Sequence, residues 1–304
     1  MIRMKMYSKS VLVFVCLLQA KFTFADEPQI LDLVIVAGQS NAVGYDAKPS
    51  ELPADASDRE VLFWWRTGDP PPDEHDSSSN HQWTHLQVQY LGNPIKPRRD
   101  RQYGNFAQAD GGFGPEIGFA REWQKRHQQK LAIVKTAFSG TGLGKDWDPK
   151  SDSESGACFR TMVSEIQAAV AAAELKNLKL RPRAILWVQG ESDANEIDAP
   201  LYAKRLQQML AELRKQLNAP DLKALVAVNT RFQQGKNKFM PAIVQAQRDC
   251  AAAGPLCRYV DTSEASIANA AHFDTAGTLM VGRLFAENLL AFDNADATVN
   301  PVSP

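Results

Sequence analysis

Four short apolar runs constrain this chain more than any other feature: LAIVKTAF at 131–138, AILWVQG at 184–190, LKALVAVNTRF at 222–232 and CRYVDTS at 257–263. Between them lie longer stretches with apolar residues at helical spacing. Met162, Ile166, Val170 and Ala173 predict a helix over 157–175, and Leu206, Leu210, Leu213 and Leu217 predict one over 199–217. Further helices are expected over 115–129, 238–253 and 274–291. Strands that alternate with helices imply right-handed βαβ units and a mostly parallel sheet with helices on both faces. With LDLVIVA at 31–37 as the first strand, the expectation is five parallel strands in one domain.

The ends of the chain frame this domain. Arg3, Lys5 and Lys9 precede the apolar run VLVFVCLLQA at 11–20, and Thr23-Phe24-Ala25 follows with small residues. That pattern reads as a secretory signal peptide over 1–25. It leaves 26–304 as one domain and predicts a secreted or periplasmic protein. No later stretch approaches the ~20 apolar residues of a spanning helix. Removing the four basic residues of this segment leaves 30 basic against 35 acidic, a net charge of −5. That balance argues against nucleic acid or an anionic membrane as partner. Cys158, Cys250 and Cys257 remain, so at most one internal disulfide can form. Only AAAGPL separates Cys250 from Cys257, which makes them the expected pair and Cys158 a buried free thiol. No CxxC pair or His/Cys cluster suggests a metal.

Residues 46–112 break the alternation. They read as a long excursion after the first strand, with a small hairpin of 61–66 against 83–90. The tip, Pro70–Asn80, is polar and proline-rich and reads as disordered. Trp64, Trp65, Trp83 and Tyr90 either present flat faces to a ligand or pack a small core.

Every predicted strand carries polar residues at its carboxyl end: Gly38-Gln39-Ser40-Asn41, Ser139-Gly140-Thr141-Gly142, Gln189-Gly190-Glu191-Ser192-Asp193, Asn229-Thr230-Arg231 and Asp261-Thr262-Ser263. In a parallel sheet these ends share one edge, where ligands bind. A serine there becomes a nucleophile only with a base, a group that orients the base, and donors for the oxyanion. His75, His81 and His85 lie in the excursion, and His127 lies on a polar helix end. His272, between the last strand and the last helix, falls on the same edge as Ser40. Asn41, Trp147 and Arg231 lie near that edge and are the candidates for substrate contacts.

The motifs GQSNAVG, GPEIGFARE (114–122), SGTGLGKDW (139–147), WVQGESDA (187–194) and HFDTAGTLMVGRLFA (272–286) resemble, in order and spacing, the sialate O-acetylesterase-like enzymes grouped with carbohydrate esterase family six among the SGNH hydrolases. The resemblance spans about residues 31–290. It implies a flavodoxin-like three-layer αβα sandwich with a central five-stranded parallel sheet. It implies a serine carboxylic-ester hydrolase that removes acetyl groups from a glycan, of acetylesterase, acetylxylan esterase or sialate O-acetylesterase type, without a cofactor. Ser40 matches the nucleophile, and its N–H an oxyanion donor. Gly140 matches a second backbone donor, Gln189 a side-chain donor and His272 the base.

One position departs from the family. An aspartate commonly stands three residues before the histidine, and here that residue is Asn269. Glu191, two residues from Gln189, is the first candidate to support His272, followed by Asp193 and Asp261. Alternatively Asn269 orients the imidazole and a Ser-His dyad acts alone. A weakly catalytic carbohydrate-binding protein on the same scaffold, or an esterase for a non-sugar ester, are the competing readings.

Overall fold

The computed structural model describes residues 27–92, 106–127 and 129–299. The basic and apolar segment at 1–25, with Cys16, lies outside the described residues, as does part of the excursion at 93–105. In chain order the elements are β1 (Gln29–Gly38), α1 (Ser40–Val43), β2 (Leu62–Gly68), β3 (Ser77–Ser78), β4 (Thr84–His85), α2 (Glu116–Arg126), β5 (Leu131–Phe138), α3 (Leu143–Asp146), α4 (Ala157–Glu174), β6 (Leu178–Val188), α5 (Tyr202–Gln216), β7 (Lys223–Ala227), α6 (Met240–Ala252), β8 (Cys257–Tyr259) and α7 (Thr275–Val299).

All eight strands join one sheet in the order β3-β2-β5-β1-β6-β7-β8, with β4 also on β2. The strands from β2 to β8 along that order pair in parallel. Side chains alternate between faces, as the pleat requires. Leu33, Ile35 and Ala37 of β1 pack on one side with α4, α5 and α6. Val34 and Val36 pack on the other with α2 and α7. The result is the three-layer αβα sandwich expected from the alternation. On α5, Leu206, Leu210 and Leu213 are buried as the spacing predicts, each contributing about 1.5–3 kcal/mol. Leu217 is only partly buried because the helix ends at Gln216. Among the described residues no helix is long and apolar enough to cross a membrane.

The sheet has six parallel strands rather than five. The sixth is β2, which comes from inside the excursion and pairs with β5 from Leu62↔Ala132 to Gly68↔Phe138. The expected hairpin shrinks to Leu62↔His85 and Phe63↔Thr84. The predicted disorder of Pro70–Asn80 is also corrected. Arg66 of β2 gathers this tip: its Nη2 donates to the Asp73 carbonyl at 2.7 Å and its Nε to Asp76 at 3.3 Å. Ser77 of the tip is fully buried and pairs with Thr67. Trp64, Trp65 and Trp83 are buried as well. Trp64 donates to Glu165 and Trp83 to the Ala169 carbonyl, both on α4. These tryptophans pack a core and form no platform for a sugar. Only Tyr90 of the four aromatics is exposed.

Two polar features lie inside the sandwich. Lys135, in the middle of β5, is fully buried and donates to the Val43 carbonyl (2.8 Å), Gln89 Oε1 (2.6 Å) and Glu116 Oε1 (2.9 Å). It thereby satisfies the last carbonyl of α1 and pairs with a carboxylate that is itself fully buried. Removing one partner strands the other charge, so Lys135→Met should cost about 3–5 kcal/mol. Lys135→Met with Glu116→Gln should recover much of that cost, and urea melts of the three proteins check it. The second feature is the thiol pair. Cys250 and Cys257 are free, with sulfurs 3.2 Å apart, and Cys158 is buried elsewhere. The expected disulfide is therefore not formed, although the last turn of α6 and the start of β8 bring together the two cysteines that were expected to pair.

Candidate active site

β1 ends against β6. At Gly38, φ is +137° and a Cβ would lie 2.1 Å from the Val188 carbonyl oxygen, so only glycine fits there. The Gln39 N–H then donates to that same carbonyl at 3.0 Å. The chain turns at once into α1, with Ser40 as its first residue. Past Gly44, at φ +84°, the Tyr45 N–H donates to the Ser40 carbonyl at 3.1 Å, which keeps Tyr45 and Asp46 close to the serine's turn.

His272 reaches this edge from the loop before α7. Its Nε2 lies 3.0 Å from Ser40 Oγ, across 232 residues of sequence. Its Nδ1 lies 2.7 Å from Asp46 Oδ2. An Nδ1–H that donates to the carboxylate leaves Nε2 free to accept the serine proton. The Tyr45 ring stacks on the imidazole at 4.5 Å and 29°. Asn269 Nδ2 donates to Asp46 Oδ2 at 2.7 Å, and Asn269 Oδ1 accepts the N–H groups of Ala271 and His272. Burial alone would raise the Asp46 carboxyl. The hydrogen bonds from His272 and Asn269, with the charge of His272, outweigh it and hold the group below the usual carboxylate range. The carboxylate that faces the imidazole is thus Asp46, which sequence reasoning missed. Its only signal was proximity to Ser40 in SNAVGYD.

The other expected residues separate into three groups. The first is open to solvent or to the site. Among the described residues, the N–H groups of Ser40 and Gly140 have no backbone acceptor. Gly140 is exposed at φ +70° in the turn after β5. The second group is buried and already committed. Gln189 Nε2 donates to the Thr141 carbonyl (3.0 Å) and to Asp193 Oδ2 (2.5 Å), and the residue is fully buried. Both its amide hydrogens are taken, so it presents no donor to an oxyanion in this arrangement. Asp193 also accepts the Leu143 N–H; together the two brace the turn that carries Gly140. Trp147 is fully buried against Trp187, with ring centroids 5.0 Å apart, and offers no surface to a ligand. Glu191 and Asn41 bond to each other at 2.7 Å, and Glu191 makes no bond to the imidazole. The third group lies aside. Asp261 is exposed and accepts the Ser263 N–H. Arg231 is exposed and donates to the Ala265 carbonyl at 3.4 Å.

A hydroxyl, an imidazole and a carboxylate in one hydrogen-bonded line, at a sheet edge where the Ser40 and Gly140 N–H groups have no backbone acceptor, can perform acyl transfer. The family model for carbohydrate esterases described as sialic acid-specific acetylesterase matches residues 30–291. The chain belongs to this carbohydrate esterase family. Its sequence is 32% identical over 115 residues to a probable carbohydrate esterase of Arabidopsis thaliana. That match covers 36% of this chain and 40% of the relative's length. Among solved structures, an Arabidopsis thaliana protein is similar at TM-score 0.62 with 19% identity, over 87% of this chain and 98% of that one. The protein NanS follows at 0.57 and 17%, over 88% and 99%. A carbohydrate acetylesterase from Xanthomonas citri follows at 0.52 and 16%, over 88% of this chain and 57% of that chain. At these identities the structures establish the shared fold.

The brace under the Gly140 turn has a titration signature of its own in this member of the family. Burial pushes the Asp193 carboxyl up to about 6, against the hydrogen bonds from Gln189 and Leu143. An unfolded aspartate titrates near ~3.9. Between about pH 4 and 6 the folded chain therefore holds more protons at this group than the unfolded chain, and its contribution to stability falls as pH rises. Asp193→Asn removes that slope. Relative to wild type, the variant should gain up to about 3 kcal/mol between pH 4 and 7. Urea melts across that range check it, and a difference independent of pH would refute it.

Proposed function

We propose that the chain is a secreted carbohydrate O-acetylesterase that works through an acyl-enzyme on Ser40. The observation that carries this reading is the Ser40–His272–Asp46 line in a member of a carbohydrate esterase family. Ser40 Oγ attacks the acetyl carbonyl while His272 Nε2 takes its proton. The N–H groups of Ser40 and Gly140 hold the developing oxyanion, each such donor being worth about 100- to 1000-fold in rate. Asp46 stays ionised and stabilises the imidazolium. His272 then protonates the departing sugar oxygen. A water deprotonated by His272 attacks the acetyl-serine, releases acetate and restores the hydroxyl. The basic and apolar pattern of residues 1–25 supports export to a compartment where polymeric glycans are met.

The test is acetate release from acetylated xylan, pectin and sialic acid, run beside labelling by a fluorophosphonate. Release from at least one glycan, with the label mapped by mass to the Ser40 peptide, is the expected result. No release from any of them, or a label on another residue, would overturn the reading.

A further inference from the structure

We propose that Asn41 and Glu191 are positioning residues that hold the His272 loop in register with Ser40; this rests on the Ser40–His272 reading above. The loop that delivers His272 has little regular structure of its own. It is spanned by the Ala268 N–H to the His272 carbonyl, by Asp274 to Ser266, and by one isolated bridge between Ile267 and Phe273. Two of its hydrogen bonds to the nucleophile turn are made by Asn41, the residue after the serine.

The Asn41 amide grips both sides of the histidine. Nδ2 donates to the carbonyl of Ala271 at 3.0 Å, and Oδ1 accepts the N–H of Phe273 at 3.0 Å. The residue before His272 and the residue after it are thus tied to one side chain, whose own backbone adjoins Ser40. The remaining Nδ2 hydrogen goes to Glu191 Oε1 at 2.7 Å. A carboxylate only accepts, so Glu191 dictates which end of the amide faces it and therefore which end faces the histidine loop. Glu191 Oε1 is seated by the Asn229 N–H at 3.0 Å, and Asn229 Nδ2 sends a second hydrogen bond to the Ala271 carbonyl, also at 3.0 Å. Asn41, Glu191 and Asn229 are all buried. The Asn41 side chain has no donor left over, which removes that side chain from the candidates for substrate contact. Its bonds join the ends of β1, β6 and β7 to the base. A displacement of about 1 Å in such a pair can cost about 100-fold in rate, so the geometry is worth three buried polar side chains.

The proposal separates positioning from binding and from charge. Asn41→Ala should lower kcat on p-nitrophenyl acetate by about 10- to 100-fold while KM stays within about twofold. Glu191→Ala should lower kcat at least about tenfold. Glu191→Gln keeps an oxygen that can accept from both Asn41 and Asn229, so it should recover most of what Glu191→Ala loses. A rise in KM with kcat held in Asn41→Ala would mark a substrate contact and overturn the proposal. Glu191→Gln as slow as Glu191→Ala would show that charge matters rather than the acceptor, and would overturn it too. Should Asn41→Ala fail to fold, the Glu191 pair decides alone, since it leaves Asn41 in place. Ser40→Ala runs beside them. Wild-type hydrolysis that survives Ser40→Ala sinks the functional reading. Hydrolysis that needs Ser40 and is untouched in folded Asn41→Ala sinks the positioning role alone.

Discussion

Ser40→Ala should lower kcat on an acetyl ester by about 10⁴-fold or more, because the covalent step disappears with the oxygen. The substitution removes one hydroxyl from a nearly buried position and one hydrogen bond to His272. A neutral hydrogen bond of this kind is worth about 1 kcal/mol net, so the melting temperature should move by only a few degrees. That asymmetry makes the measurement decisive: a folded protein with a lost reaction places the chemistry on the oxygen. What remains should be slow hydrolysis in which His272 activates water and the Ser40 and Gly140 N–H groups still bind the oxyanion. Rates on p-nitrophenyl acetate, with thermal melts of both proteins, check it. A variant that keeps more than about a tenth of the wild-type rate would move the nucleophile elsewhere.

The parts of this molecule that were legible in its sequence are those written as a repeating pattern. Short apolar runs and helical spacing from residue 131 onward place β5 to β8 and the helices between them. β2 was expected as one arm of a small hairpin and not as a member of the parallel sheet. Its LFWWRTG run is followed by prolines and acidic residues rather than by a helix, and its edge position is settled by Trp64 and Trp83 bonding to α4. Ser40 and His272 were legible because one sits in a motif at a strand end and the other in a motif just before the last helix. Gln189 and Trp147 sit in such motifs too. Their roles depend on which way the side chain points, and both point inward. The acid was illegible for another reason. The candidates Asn269, Glu191, Asp193 and Asp261 lie on the histidine's own segment and past the ends of β6 and β8. The carboxylate instead arrives on the segment that carries Ser40, past the left-handed turn at Gly44. No periodicity records that turn.

The relocated acid gives the second large effect. Asp46→Asn keeps size and one acceptor oxygen but removes the charge that faces the imidazolium. In a fully buried triad the corresponding change costs about 10⁴-fold. Asp46 is partly exposed, at 15% of its side-chain area, so water restores some of the loss and about 10²- to 10³-fold is expected. Position 269 then becomes informative. Its side chain already touches Asp46 Oδ2 and caps the His272 N–H. In Asp46→Asn/Asn269→Asp the charge returns from the histidine's own segment, while one carboxylate oxygen keeps the cap. The double variant should run at least about tenfold faster than Asp46→Asn alone. Asn269→Asp by itself should bring no gain. It sets two carboxylates in contact, and one of them is then driven towards its protonated form. Measured on one acetyl ester, the four proteins form a cycle. Asp46→Asn within about threefold of wild type would remove Asp46 from the mechanism. A double variant no faster than Asp46→Asn would show that only the nucleophile's own turn can seat this acid.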